Sequence, residues 1–113
     1  MTKAPSNFAK QVYALTKQVP AGQVTTYKAL AQALGTKAYR AIGQVLRCNP
    51  QAPIIPCHRV VASNGLLHGF NGSQSQPALT KKANLLKKEG VRVQNNRIVN
   101  LNSVLFTFTR QSL

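Results

Sequence analysis

Apolar residues recur every three to four positions through the first third of the chain. Phe8, Val12, Leu15 and Val19 mark one face of a helix across "PSNFAKQVYALTKQVP", with Ser6 in the N-cap position and Pro20 as the stop. "AGQ" reads as a turn. In "TTYKALAQALG", Thr25 or Thr26 can cap, Leu30, Ala33 and Leu34 form an apolar stripe, and Gly35 stands where a left-handed C-cap is wanted. "TKAYRAIGQVLRCNP" starts again: Thr36 can cap, Ile42, Val45 and Leu46 point inward, and Asn49-Pro50 ends the run. Two short helices joined by a glycine turn form a helix-turn-helix pattern, which any αα-hairpin shares.

The pattern then changes. Residues 54–61, "IIPCHRVV", predict a buried extended segment. Asn64-Gly65 between apolar pairs is a hairpin or tight-turn signal. "HGFNGSQSQP" reads as a loop, with His68 a loop residue. Pro77 suits the first turn of a further helix with Leu79, Ala83 and Leu86 inward and Gly90 as the stop. "VRVQNNRIV" alternates and predicts a small hairpin with Asn95-Asn96 at its tip, and "NLNSVLFTFTRQSL" carries a β-like apolar run that the pattern does not place. The predicted fold is mainly α with short β hairpins, built on a winged-helix-like helix-turn-helix. It is read as one domain over 1–113, with its core at 6–90 and a small hairpin and tail at 91–113.

Charge alters this picture. Lys and Arg number 15 against one acid, a formal net charge of +14. Such a surface repels itself unless something anionic meets it, and nucleic acid is the leading partner. A generally basic protein, or one touching acidic lipid, is the plainer reading. The second predicted helix favours DNA: Lys37, Tyr39, Arg40 and Arg47 lie on its outer side, with the small Ala38 and Gly43 between them. No apolar run approaches a membrane span, and the first twenty residues lack the order of a secretion signal, so an intracellular, non-membrane protein is expected.

Candidate chemistry centres on Cys57 and His58. Two cysteines and two histidines supply four zinc ligands on paper, but their spacing fits no finger and adjacent Cys57-His58 suit one ion poorly, so no metal is expected. Cys57 is either a small buried hydrophobe or a nucleophile that a nearby base converts to thiolate. In a strand, adjacent side chains face opposite ways, so direct help from His58 requires a turn, which Pro56 permits. Glu89 is the chain's sole acid. It is either a leftover helix residue or the acid that orients a histidine in a Cys–His–acid relay.

Pro56-Cys57-His58-Arg59-Val60 gives these residues a context. "RAIGQVLRCNPQAPIIPCHRVVASNG" resembles the active-site region of the methylated-DNA–protein-cysteine methyltransferases, or O(6)-alkylguanine-DNA alkyltransferases. "GQVTTYKALA", "RAIG", Asn49-Pro50 and "LLKKEG" extend the likeness from Phe8 to Gly90, covering that family's C-terminal catalytic domain. The resemblance implies irreversible transfer of an alkyl group from guanine in double-stranded DNA to Cys57, without a cofactor, by a monomer acting once. It implies that the second helix enters the minor groove, where Ala38 and Gly43 permit close approach. Arg40 would replace the flipped base in the stack, since the alkyl group is unreachable within it. Tyr27 would aid flipping and hydrogen-bond the base. His58, through a water, and Glu89 would take up the thiol proton, and Asn49 would support that geometry. Thr26 and Ser63 join Lys37, Tyr39, Arg40 and Arg47 in the expected DNA-contacting set. Tyr27, Val60, Phe70, Asn71 and Gly72 form the expected substrate pocket.

The sequence departs from the family in places. Phe70 stands where tyrosine is common, Asn71-Gly72-Ser73 replaces a serine and glycine pair, and the stretch through Pro77 is several residues longer. Cys48 replaces a common glycine and is read as packing, with a second alkylatable or oxidisable thiol as the alternative. No counterpart of the usual N-terminal domain is evident. Two other readings remain: a non-enzymatic alkyltransferase-like lesion sensor, whose relatives lack the cysteine, and a basic architectural DNA-binding protein with an inert thiol.

Overall fold

The computed structural model describes residues 7–49, 54–68 and 75–108. Helix α1 spans Asn7–Lys17, and Val12 and Leu15 are fully buried on the predicted face, as is Val19 just beyond. Its expected cap, Ser6, and the expected stop at Pro50 lie outside the described residues. A short strand β1 (Thr25–Thr26) leads into α2 (Tyr27–Leu34). The Thr26 hydroxyl accepts from the Ala29 N–H at 3.0 Å, closing the N-terminus of α2. Gly35 ends it at φ 68°, a left-handed conformation that a side chain would resist.

Helix α3 runs Tyr39–Arg47. It begins later than a Thr36 cap requires. The Thr36 hydroxyl instead accepts from the Ala38 N–H at 3.1 Å and shapes the connecting turn. Ile42 and Leu46 of α3 pack with Leu30 and Ala31 of α2 and with Val12 and Leu15 of α1 in one cluster that also contains Cys57 and Val60. The Tyr13 hydroxyl donates to the Val45 carbonyl at 2.8 Å, tying α1 to α3.

The expected extended segment at 54–61 is corrected. Ile54 is 72% exposed, and Cys57–Arg59 form a single 3₁₀ turn. Pro56 fixes the entry, with the Arg59 N–H donating to its carbonyl at 2.9 Å. Only Val60–Val61 is extended, as strand β2, and it pairs in parallel with β1. This parallel pair was not legible as a hairpin because its partners lie 35 residues apart in register, Thr25 opposite Val60. Strand alternation sends Val60 into the first cluster and Val61 into a second one with Val24, Leu67, Ala83, Leu86, Val91 and Ile98. The two short strands are thus the wall between two apolar clusters.

Asn64-Gly65 makes a tight turn, Gly65 at φ 87° and its N–H on the Ala62 carbonyl at 2.8 Å. Helix α4 covers Gln76–Lys88, capped by Ser75 with Pro77 in its first turn. The predicted small hairpin is present as β3 (Val93–Gln94) and β4 (Arg97–Ile98), with Asn95 and Asn96 both at positive φ. The β-like tail begins instead as a short helix, α5 (Leu101–Val104); Leu105 then bridges Val24, and the Phe106 N–H donates to the Val24 carbonyl at 2.7 Å. The architecture is mainly helical with short strands and helix-turn-helix-like, as the pattern predicts. Among the described residues no helix is long and apolar enough to cross a membrane.

Candidate active site

Cys57 opens the 3₁₀ turn and is 9% exposed. The turn puts His58 and Arg59 immediately after it in a compact arc, which an extended strand would not do. Asn49, just past α3, reaches this region: its Nδ2 donates to the Ile55 carbonyl at 2.7 Å. The same carbonyl accepts from the Cys57 N–H at 2.8 Å. One oxygen therefore joins the end of α3 to the backbone of the thiol.

Glu89 caps the C-terminus of α4 and arrives beside the turn from 31 residues away. The His58 Nε2 lies 3.1 Å from Glu89 Oε2. Arg59 grips the same carboxylate, Nε donating to Oε1 at 3.0 Å and Nη2 to Oε2 at 2.5 Å. Its Nη1 donates to the Val19 carbonyl at 2.7 Å. Burial alone would raise the Glu89 pKa, but hydrogen bonds from Arg59 and His58 and their charges outweigh it, and the carboxylate stays ionised below its ordinary range. Burial pushes the His58 pKa below 6.5; the bond and charge of Glu89 pull it up, while Arg59 and Lys82 push it down. A neutral imidazole facing a carboxylate carries its proton on Nε2, which leaves Nδ1 as an acceptor.

Lys82 was missed. It is 2% exposed, and its Nζ donates to the carbonyls of Val60 at 2.8 Å and Leu67 at 2.7 Å. Burial pushes its pKa down to about 8, against an upward pull from Cys57. A signal was available: Lys82 falls three residues after Leu79 and four before Leu86, inside the inward stripe of α4. Tyr27, at the start of α2, is half-buried; burial raises its pKa first, and the Cys57 charge adds to this. The ring of His68 lies 6.4 Å from that of Tyr27, a pairing that the sequence did not indicate.

Of the expected DNA-contacting set, Tyr39, Arg40 and Arg47 are exposed on α3, and Lys37 is exposed in the turn before it. Ala38 and Gly43 are half-buried, and a Cβ placed on Gly43 would meet no other part of the described residues within 4 Å. Ser63 is exposed on the separate turn after β2. Thr26 is 6% exposed, and its hydroxyl accepts the capping bond of α2. The Val60 side chain, expected in the substrate pocket, is fully buried in the first apolar cluster. Phe70, Asn71 and Gly72 lie outside the described residues. Cys48 is exposed rather than packed. Among the described residues no three His, Cys, Asp or Glu side chains converge as metal ligands.

Residues 7–91 match the family model described as 6-O-methylguanine DNA methyltransferase, DNA binding domain. A methylated-DNA–protein-cysteine methyltransferase of Saccharolobus islandicus is 43% identical over 86 residues, covering 76% of this chain and 52% of that protein. The chain thus spans about half the length of such curated relatives. Mycobacterium tuberculosis OGT, solved in complex with DNA, superimposes with a TM-score of 0.69 at 32% identity, over 76% of this chain and 51% of that one. Schizosaccharomyces pombe (S. pombe) Atl1, solved with damaged DNA containing O6-carboxymethylguanine, shares the fold with a TM-score of 0.76 at 23% identity, over 93% of this chain and 99% of that one.

Proposed function

Because the chain belongs to the 6-O-methylguanine DNA methyltransferase family through its DNA-binding domain, we propose that this same domain is also catalytic, and that it moves an alkyl group from O6-alkylguanine in DNA to Cys57. The observation that carries this is the turn at Cys57–Arg59, which sets a buried imidazole, bonded to Glu89 at 3.1 Å, directly after the thiol. On this reading α3 lies in the minor groove of duplex DNA. Lys37, Tyr39 and Arg47 meet the backbone, Ala38 and Gly43 allow close approach, Ser63 adds a contact, and Arg40 fills the gap left by the flipped guanine. Tyr27 bonds the extruded base in a pocket completed by Phe70, Asn71 and Gly72.

The chemistry balances without a cofactor or metal. The thiol proton passes through a water to the free nitrogen of His58, with Glu89 steadying the imidazolium. The sulfur attacks the alkyl carbon, so a C–S bond forms as the C–O bond breaks. The electron pair stays on the guanine oxygen, and the ring regains a proton, offsetting the one that left the thiol. Water does not cleave the resulting thioether, so a monomer acts once. Asn49 links α3 to the thiol backbone, which ties DNA contact to the reacting atom.

The test is intact mass after incubation with a duplex containing methylguanine. One added methyl, located at Cys57 and absent in Cys57→Ala, is the expected result. Selective lesion binding without a mass change would instead assign a non-enzymatic sensor, and binding without lesion preference an architectural protein.

A further inference from the structure

Arg59 has no part in the relay as described, yet it makes the most bonds in the site. Two of its nitrogens hold both oxygens of Glu89, and a third holds the Val19 carbonyl after α1. A histidine paired with an unopposed carboxylate tends to hold a proton rather than accept one. We propose that Arg59 is a positioning residue for the relay: it fixes Glu89 by both oxygens and offsets its charge, so that His58 keeps a nitrogen free for the thiol proton. This rests on the transfer chemistry proposed above.

The surroundings of the imidazole support the inference. The charged groups that act on His58 are Arg59 on its own turn, Lys82 from α4 and Glu89 at the end of that helix, while Cys57 precedes it on the turn and acts on Lys82 and on Tyr27 of α2. Of Glu89, Arg59 and Lys82, Glu89 alone favours imidazolium, and it is the one Arg59 clamps. Lys82 acts in the same direction as Arg59 but is occupied with the Val60 and Leu67 carbonyls, so it does not hold the carboxylate in place.

The experiment follows the His58 ring by NMR titration in ¹⁵N-histidine-labelled protein, for the native chain, Arg59→Gln and Arg59→Lys. Alongside it, the single-turnover methyl-transfer rate is measured against pH. In Arg59→Gln the His58 midpoint should rise, and the acid limb of the rate profile should move up with it. The loss is on the order of tenfold near pH 6, with the alkaline plateau largely kept. Arg59→Lys keeps the charge but not the fork, so it should fall between. An unmoved midpoint in the variants, or a plateau lowered evenly with no shift, would overturn the proposal by reducing Arg59 to scaffolding. Should Arg59→Gln not fold, Arg59→Lys decides alone, and a native midpoint there sinks the idea. If the native chain transfers nothing, the proposed function fails, while the NMR midpoints still decide the role of Arg59.

Discussion

Around α3 the cations stand outside. Lys37, Arg40 and Arg47 are all exposed, and the helix below them is held by aliphatic packing from Ile42 and Leu46. Around α4 the arrangement is reversed. Lys82 is among the most deeply buried large side chains, and Arg59 is turned inward onto Glu89. The same residue types therefore serve two ends. Outward, they form a field for a polyanion; inward, they hold carbonyls and a carboxylate where apolar side chains could not. The chain's single acid goes to the inner set, which leaves the outer cations with no carboxylate side chain as a partner.

The largest effect expected from this contrast is in DNA binding. If roughly six phosphates are engaged, affinity should drop by on the order of 10³ between about 50 and about 200 mM salt. Neutralising Arg40 and Arg47 should flatten that salt slope. Neutralising Lys87 and Lys88, exposed at the far end of α4, should leave it nearly unchanged. Equal flattening by the two pairs in a filter-binding series would erase the distinction between the two regions.

The next effect lies in the inner set. Lys82→Ala strands two buried carbonyls and opens a cavity, and it should cost about 3 kcal/mol in urea unfolding. Its titration gives a second signature. The folded pKa, about 8, lies below the ordinary 10.5, so between those values the unfolded chain binds more protons than the folded one. Stability contributed at this site should therefore rise with pH across that window, by about 3 kcal/mol at most, and Lys82→Ala should lack the rise. A variant whose unfolding free energy follows the native curve across the window would show that the ammonium carries no burial penalty.

The same division decides what could be read beforehand. The α1–α3 region was largely legible, the start of α3 excepted, because its helices have local signals: a 3.6-residue apolar period, a threonine cap that proves to be Thr26, and Gly35 at its left-handed stop. The hairpin at Asn95-Asn96 was legible for the same reason. What failed was non-local. Nothing near "IIPCHRVV" announces that β2 will pair with a strand 35 residues earlier, so the segment looked extended throughout and its 3₁₀ turn was hidden. Of the site, the identities of Cys57, His58 and Glu89 came from the motif and from the scarcity of acids. The inner roles of Arg59 and Lys82 did not: Arg59 fell inside the segment read as buried but its partner Glu89 lies 30 residues on, and the carbonyls that hold Lys82 belong to distant segments. Thr26 was read both as a helix cap and as a DNA contact, and its hydroxyl makes the cap.

The smallest expected effect separates folding from binding most cleanly. Gly43 sits in the middle of α3 with no positive φ, and beyond its own helix no atom of the described residues lies within 4 Å of where a Cβ would stand. Among the described residues nothing therefore asks for glycine, and glycine in a helix interior costs roughly 0.5–1 kcal/mol relative to alanine. Gly43→Ala should stabilise the fold by about that amount in thermal melts. If α3 approaches DNA as closely as proposed, the added methyl group meets the duplex instead, and affinity should weaken by a few-fold, roughly 1 kcal/mol or less. The two changes have opposite signs, so a general loss of structure cannot produce both. A variant that is more stable and binds as tightly as the native chain would place the duplex elsewhere than on this face of α3.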